Sequence, residues 1–300
     1  MAQKFDYATA FSRNLGLVGP EEQETLRKSR VAIAGLGGVG GVHLTTLARM
    51  GIGRFRIADF DHFEIHNINR QAGATASSMG QSKVDVMVRV ALDINPAAQV
   101  ECYPEGITRE NVSRFLEEVD VAIDGLDFSA VDVRDYFYAE AYRKGIPVVA
   151  VGPVGCSAAS LVFVPGGMQW KDYFAMDLAK SDFERYVLFI VGTAPAGLHM
   201  PYIDRRYVDL AAKRGPSLAL AVQLCSGMAA AETLKLLLKR GRVLAVPIYQ
   251  QFDAYRGRYA VGKLRWGNRG LIQRIKFLIA KRLLSPVHTI PPSNGGAVRV

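Results

Sequence analysis

Residues 30–61 read RVAIAGLGGVGGVHLTTLARMGIGRFRIADFD, and this stretch decides the fold. Val31 to Ala34 is a short apolar run of the kind that forms a buried parallel strand. Gly35, Gly37, Gly38, Gly40 and Gly41 follow at once. His43 to Met50 then carries Leu44, Leu47 and Ala48 at helical spacing, with Gly51 placed as a C-terminal cap. Phe55 to Ala58 reads as a second strand that ends on Asp59. A strand, a glycine turn, a helix and a second strand, with an acid about 20 residues past the glycines, make a phosphate cradle. Glycines let the backbone approach a phosphate, the helix N-terminus supplies free N–H groups, and the acid can hold a ribose hydroxyl. The GxGGxG spacing of Gly35 to Gly40 points to a nucleotide without choosing which one.

Downstream, the sequence DHFEIHNINRQ is polar and turn-like and gathers Asn67, Asn69, Arg70 and Gln71. A loop that leaves the C-terminal end of a parallel strand is where α/β folds place ligand contacts, and Arg70 there suits a phosphate clamp. His62 and His66 have no third ligand at supporting spacing, so they do not read as a metal pair. Gly80 to Asn95 is expected to be an amphipathic helix, with Lys83 in its first turn. A cation gains nothing there from the helix dipole, so Lys83 is either solvated or aimed at an anion. Thr108 to Glu118 reads as a helix and Val119 to Asp124 as a buried strand running into Asp124-Gly125-Leu126-Asp127. An acid at that edge suits magnesium, or else Asp127 caps the helix that follows.

Strand alternates with helix to about residue 151, which predicts βαβ units and a mainly parallel sheet. The uncharged run Ile146 to Trp170 is long enough to span a bilayer, but its prolines and glycines break it into two buried strands. Consecutive strands from Ser160 predict an antiparallel extension, and Pro247 to Tyr259 reads as a closing strand pair. The fold class is therefore α/β, a Rossmann-like mainly parallel sheet with an antiparallel C-terminal extension. Residues 166–216 read as irregular, a cover over the substrate. Ser217 to Arg240 reads as a long helix whose small residues allow tight packing. Ser285 to Val300 is expected to be disordered.

Three hundred residues make one large α/β domain or two small ones, with 49% hydrophobic and 22% charged residues. Cys102, Cys156 and Cys225 are far apart and include no CxxC, which fits a reducing cytoplasm; the opening MAQKFDYATAFSRN holds no apolar signal core. Charge is uneven. Ten of the 37 basic residues follow Asp253 and no acid does, leaving 27 basic against 28 acidic before it. Within that tail, Gly270 to Leu284 reads as a basic amphipathic helix with Leu271, Ile275, Leu278 and Ile279 on one face. It could dock on the domain, lie on a membrane surface or contact a polyanion such as tRNA.

Taken together, GxGGxG over Gly35–Gly40, DxD over Asp59–Asp61, NxxRQ over Asn67–Gln71, GxxK over Gly80–Lys83 and a strand ending in an acid resemble the ThiF/MoeB/HesA family, the adenylating domain of ubiquitin-activating enzymes. The resemblance covers residues 8–165 well and 217–255 loosely. It implies an N-terminal arm (1–29), an ATP-binding Rossmann-like domain (30–165), a crossover (166–216), the C-terminal part of the same domain (217–262) and a basic tail (263–300). The activity it implies is ATP-dependent adenylation of a carboxylate with release of pyrophosphate. Its substrate would be the C-terminal glycine of a ubiquitin-like or sulfur-carrier protein, or a small carboxylate.

By the same resemblance, Gly35, Gly37, Gly38 and Gly40 line the phosphate turn and Asp59 holds the ribose, with Asp61 and Gln71 also at the nucleotide. Asn67, Arg70 and Lys83 neutralise phosphates and Asp127 organises Mg²⁺. Arg13 falls where the family has an arginine that reaches the nucleotide of a neighbouring subunit, which implies a homodimer; on spacing alone it is plain surface. Residues 166–216 lack the acyl-accepting cysteine of some members, the zinc-binding cysteine pairs are missing, and Asp127-Phe128 stands where Asp-Asn is common. Adenylation without a catalytic cysteine of its own is the expected activity, with no zinc. The alternatives are a tRNA-directed relative that activates a base-linked carboxylate, an NAD-dependent oxidoreductase, or an inactive scaffold.

Overall fold

The computed structural model describes residues 4–284 apart from 211 and 213. In chain order the elements are α1 (Tyr7–Ala10), α2 (Pro20–Lys28), β1 (Arg30–Ala34), α3 (Gly38–Arg49), β2 (Arg54–Ala58), α4 (Lys83–Ile94), β3 (Gln99–Tyr103), α5 (Val112–Phe115), β4 (Val121–Asp124) and α6 (Val131–Arg143). There follow β5 (Val148–Val154), β6 (Ser157–Phe163), α7 (Trp170–Phe174), α8 (Asp182–Thr193), α9 (Ala219–Leu238), β7 (Ile248–Asp253), β8 (Arg258–Lys263) and α10 (Leu271–Leu283). All eight strands form one sheet in the order β3-β2-β1-β4-β5-β6-β7-β8. The first five run parallel, and β6, β7 and β8 add on antiparallel.

The chain steps outward from β1 through β2 to β3, then crosses back to place β4 on the other side of β1. Strand order reverses at that point, and the crevice above the C-terminal ends of β1 and β4 is where such sheets bind ligands. Each face of the sheet is covered. Val31, Ile33, Leu44, Leu47, Ile57, Met87, Val222 and Cys225 pack on one side. Ala32, Ala34, Phe115, Phe137, Tyr138, Phe163, Tyr173 and Phe174 pack on the other. The small residues of α9 serve this packing: Ala221, Ser226 and Ala229 are buried, and Ser226 Oγ bonds Thr46 Oγ1 of α3 at 2.7 Å. Among the described residues α9 is also long and apolar enough to cross a membrane, but half of it is buried inside the protein.

Residues 166–216 differ from the irregular stretch expected of them. They contain α7 and α8, and Trp170, Tyr173 and Phe174 are core residues rather than a cover. For α8 the cause is local: Ser181 Oγ accepts Glu184 N–H, while Asp182 and Glu184 place negative charge in its first turn. Between Thr108 and Glu118 only the single turn of α5 is helical, and α4 begins at Lys83, capped by Ser82, rather than at Gly80. Ser285 to Val300 lies outside the described residues.

Candidate nucleotide site

The glycine loop runs from β1 into α3. Gly35 has φ +88°, and a Cβ there would sit 2.4 Å from the carbonyl oxygen of Gly125. That contact joins the β1 and β4 turns, so bare backbone is required on both sides. A Cβ on Gly40 would meet Gly35 O at 1.8 Å, which fixes how closely α3 approaches its strand. Gly37 and Gly38 are different. A Cβ on either finds nothing closer than 3.6 Å, and no side chain caps the α3 N-terminus. The first N–H groups of α3 are therefore offered outward with the positive end of the helix dipole behind them.

Asp59 is buried and committed to this loop. Its Oδ2 accepts Leu36 N–H at 2.6 Å and its Oδ1 accepts Asp61 N–H at 2.9 Å. Lys83 is buried at the first position of α4 and its Nζ reaches Asp61 Oδ2 at 2.8 Å, so the DxD and GxxK segments meet. Asn67 is buried and caps its own turn, with Oδ1 accepting Glu64 N–H at 2.9 Å. Its carbonyl receives the N–H groups of Arg70 (3.1 Å) and Gln71 (2.9 Å). This turn lays the Arg70 stem over the start of α3, its Cγ 3.8 Å from where a Gly38 Cβ would stand. The guanidinium Nη1 is held by His66 O at 3.0 Å and Asn69 Oδ1 at 2.9 Å. Gln71 is buried against Gly37, and its Oε1 has no partner.

At the end of β4 the two acids divide their work. Asp124 is buried in a two-bond pair with Arg134, at 2.7 and 3.1 Å, and also accepts Tyr138 OH at 2.9 Å. Burial beside this carboxylate pushes the Tyr138 hydroxyl pKa well up. Arg134 further binds the carbonyls of Leu126 and Asp127, each at 2.7 Å, so it shapes the whole turn. Asp127 is exposed, and its Oδ1 accepts the N–H (2.9 Å) and hydroxyl (2.7 Å) of Ser129. Asp127 does not cap the helix that follows, since α6 begins at Val131 behind Ala130 with no side-chain cap; it closes the short turn before it through Oδ1.

Arg13 is not part of this cluster. It is exposed in a short turn whose next residue, Asn14, bonds Met50 O at 3.2 Å beside the C-terminal end of α3. The glycine loop is at the other end of that 12-residue helix, about 18 Å away along its axis.

Two contacts had no sequence signal. Asn69 Nδ2 donates to Ser217 O at 2.9 Å, and Ser217 in turn bridges Gly155, which ties the NINRQ loop to the β5–β6 hairpin. Beside that hairpin Tyr202 OH donates to the buried Asp253 at 2.7 Å and accepts Cys156 N–H at 2.7 Å. Burial lowers the pKa of the adjacent His199 to about 4, against the pull of Asp253. Cys225 is a core residue whose thiol pKa is pushed up by burial.

The residues present fit a nucleoside triphosphate with magnesium. An uncapped helix N-terminus at the half-buried Gly37 and Gly38, where only side chains stand within 4 Å, suits phosphate oxygens, Arg70 and Lys83 supply cations, and the unpartnered Gln71 Oε1 can accept a donor. Asp127 Oδ2 suits one ligand position of a hard cation whose other oxygens come from phosphate and water. Among the described residues no group of three His, Cys, Asp or Glu side chains could hold a metal by itself.

Fold and site together define a Rossmann-like nucleotide-binding protein of the doubly wound α/β class. The model of the ThiF family matches residues 11–269, and the chain belongs to that family. It is 38% identical over 141 residues to the tRNA threonylcarbamoyladenosine dehydratase of Bacillus subtilis, covering 47% of this chain and 55% of that one. It is 36% identical over 110 residues to the sulfur carrier protein adenylyltransferase of Thermus thermophilus, covering 37% and 41%. The chain thus spans about half the length of the curated relatives it matches. Among solved structures, Escherichia coli MccB with ATP overlays at a TM-score of 0.64 and 19% identity, covering 89% of this chain and 72% of that one. PaaA overlays at a TM-score of 0.64 and 20% identity, covering 88% and 77%. At such identities the overlays carry the fold.

Proposed function

We propose that this chain adenylates a carboxylate at the expense of ATP. A carboxylate oxygen attacks the α-phosphorus, the bond from that phosphorus to the bridging oxygen breaks, and pyrophosphate leaves with the electron pair. Charge gathers on the α-phosphate oxygens, and preplaced donors stabilise it without reorganising. The α3 N–H groups and Arg70 are the donors nearest one another; Lys83 is drawn from Asp61 toward phosphate, Asp59 and Gln71 hold the nucleoside, and Asp127 holds magnesium. The magnesium supplies Lewis-acid charge neutralisation. No side chain has to be a nucleophile, because the substrate brings its own.

The observation that carries this reading is the uncapped start of α3 at the half-buried Gly37 and Gly38 with the Arg70 stem across it. A nicotinamide dinucleotide needs no such cations. The substrate is the C-terminal glycine of a small carrier protein or a small carboxylate; the alternative is a carboxylate carried on tRNA, favoured by the dehydratase likeness. Arg13 acts on the nucleotide of a second copy, which its distance from its own glycine loop supports.

Thermal melting with Mg²⁺-ATP, Mg²⁺-AMP or NAD(H) tests the core of this. At about 100 times its dissociation constant a ligand adds roughly 2.7 kcal/mol. Mg²⁺-ATP is expected to raise the melting point of the native protein and not of Arg70→Ala. Stabilisation by NAD(H) alone overturns the reading.

A further inference from the structure

The C-terminal helix α10 is docked on the protein by the wrong face for an ordinary amphipathic helix. Its inward positions are Gln273, Phe277 and Ala280. Gln273 is 1% exposed and donates to Val191 O and Asn268 Oδ1, both at 3.1 Å. Asn268 is also buried and binds the carbonyls of Phe174 (3.0 Å) and Leu188 (2.8 Å). At the flanks Lys276 Nζ donates to Pro195 O and Lys281 Nζ pairs with Glu184, each at 2.6 Å. The helix is therefore held in one orientation by polar bonds against α8.

That orientation turns the aliphatic stripe outward. Leu271 (76% exposed), Ile272 (69%), Ile275 (50%), Leu278 (62%), Ile279 (54%) and Leu283 (40%) all face solvent. Arg274 and Arg282 are exposed along the same side. Trp266, 65% exposed, stands just before the helix with the Arg265 guanidinium 5.5 Å from its ring centre. No acidic residue follows Asp253.

We propose that α10 lies in the surface of an anionic lipid bilayer. The stripe enters the boundary between headgroups and acyl chains, Trp266 sits at headgroup level, and the arginines meet lipid phosphates while their stems stay among the aliphatic chains. Charge selects this occupant. A second copy pressed face to face would bring arginines against arginines with no acid on the helix to offset them. Nucleic acid satisfies the cations but leaves six aliphatic side chains in water. An anionic bilayer satisfies both at once.

Flotation of the full chain with phosphatidylcholine vesicles, with and without phosphatidylglycerol, decides the matter. The native protein is expected to float with the anionic vesicles, to lose most of that binding in high salt, and to bind neutral vesicles at least about tenfold less. The double substitution Ile275→Glu with Leu278→Glu, at exposed positions away from the nucleotide cradle, is expected to abolish flotation and keep the Mg²⁺-ATP melting shift. If the native protein does not float, or the double variant still floats, the proposal is overturned. If the double variant turns a dimer into a monomer and vesicles capture neither form, the stripe is an interface between copies and the proposal fails.

Discussion

His43 shows how much a single residue can cost when burial and chemistry disagree. It lies on α3, is 1% exposed, and neither ring nitrogen has a partner. Desolvation lowers its pKa from 6.5 to about 3, so the folded protein keeps the ring neutral where the unfolded chain takes a proton. A depressed pKa means the unfolded state binds more protons below 6.5. Stability therefore falls as pH drops through the window from 6.5 toward 3, by about 1.4 kcal/mol per unit once well inside it. His43→Leu is expected to remove about half of the slope between pH 6.5 and 5, read from urea midpoints above the range where the carboxylates titrate, because His199, lowered to about 4 by burial, titrates over the same window. An unchanged slope would place the acid sensitivity elsewhere. Asp124 makes the complementary point. In sequence it is a second acid at a strand end; in the fold Arg134, a turn of backbone later, consumes both its oxygens and leaves Asp127 as the exposed one. Residue identity announced the acids, but only the β4–α6 turn decided between them.

At the scale of elements, the glycine loop separates two jobs that share one residue type. A methyl on Gly40 runs into Gly35 O at 1.8 Å, so α3 must back away from β1; a methyl on Gly38 meets only side chains, at 3.6 Å or more. Gly40→Ala is expected to lower the melting point sharply or to prevent folding. Gly38→Ala should melt close to the native protein and lose most of the Mg²⁺-ATP shift, because the methyl stands under Arg70 where the phosphates approach. Equal melting losses in both variants would show that Gly38 is structural. The strands were legible as short apolar runs, α3 from Leu44 and Leu47 with Gly51 behind them, and α9 from its apolar length between Pro216 and Gly241. Residues 166–216 were read as irregular because Trp170, Tyr173 and Phe174 sit among prolines and glycines without a long period. The capping signal Ser181-x-x-Glu184 was nonetheless available, and it marks the start of α8. No pattern could have revealed which face of α10 turns outward, since that depends on Gln273 and Asn268 meeting across five residues.

For the whole molecule, alternation of strand and helix predicted the parallel half of the sheet and thus the crevice between β1 and β4, which is where the glycine loop and Asp127 lie. Distance along α3 is what sequence could not supply. The length of α3, about 18 Å, lies between the turn that carries Arg13 and its own glycine loop, more than an arginine side chain spans, and this favours the proposal that Arg13 acts on the nucleotide of a second copy. Complementation tests this. Arg13→Ala and Arg70→Ala each remove one cation from every site of a homodimer, and each variant alone is expected to be nearly inactive in pyrophosphate release. In a mixed dimer the Arg13→Ala chain keeps its own Arg70 and borrows Arg13 from its partner, which makes one intact site; the other site lacks both. Random mixing in equal amounts puts about half the protein into such dimers and returns about a quarter of native activity. Recovery of that size requires a shared site. No recovery from a mixture shown by mass to have exchanged subunits excludes a shared site, native activity of Arg13→Ala on its own leaves Arg13 as surface, and a strictly monomeric protein removes the dimer altogether.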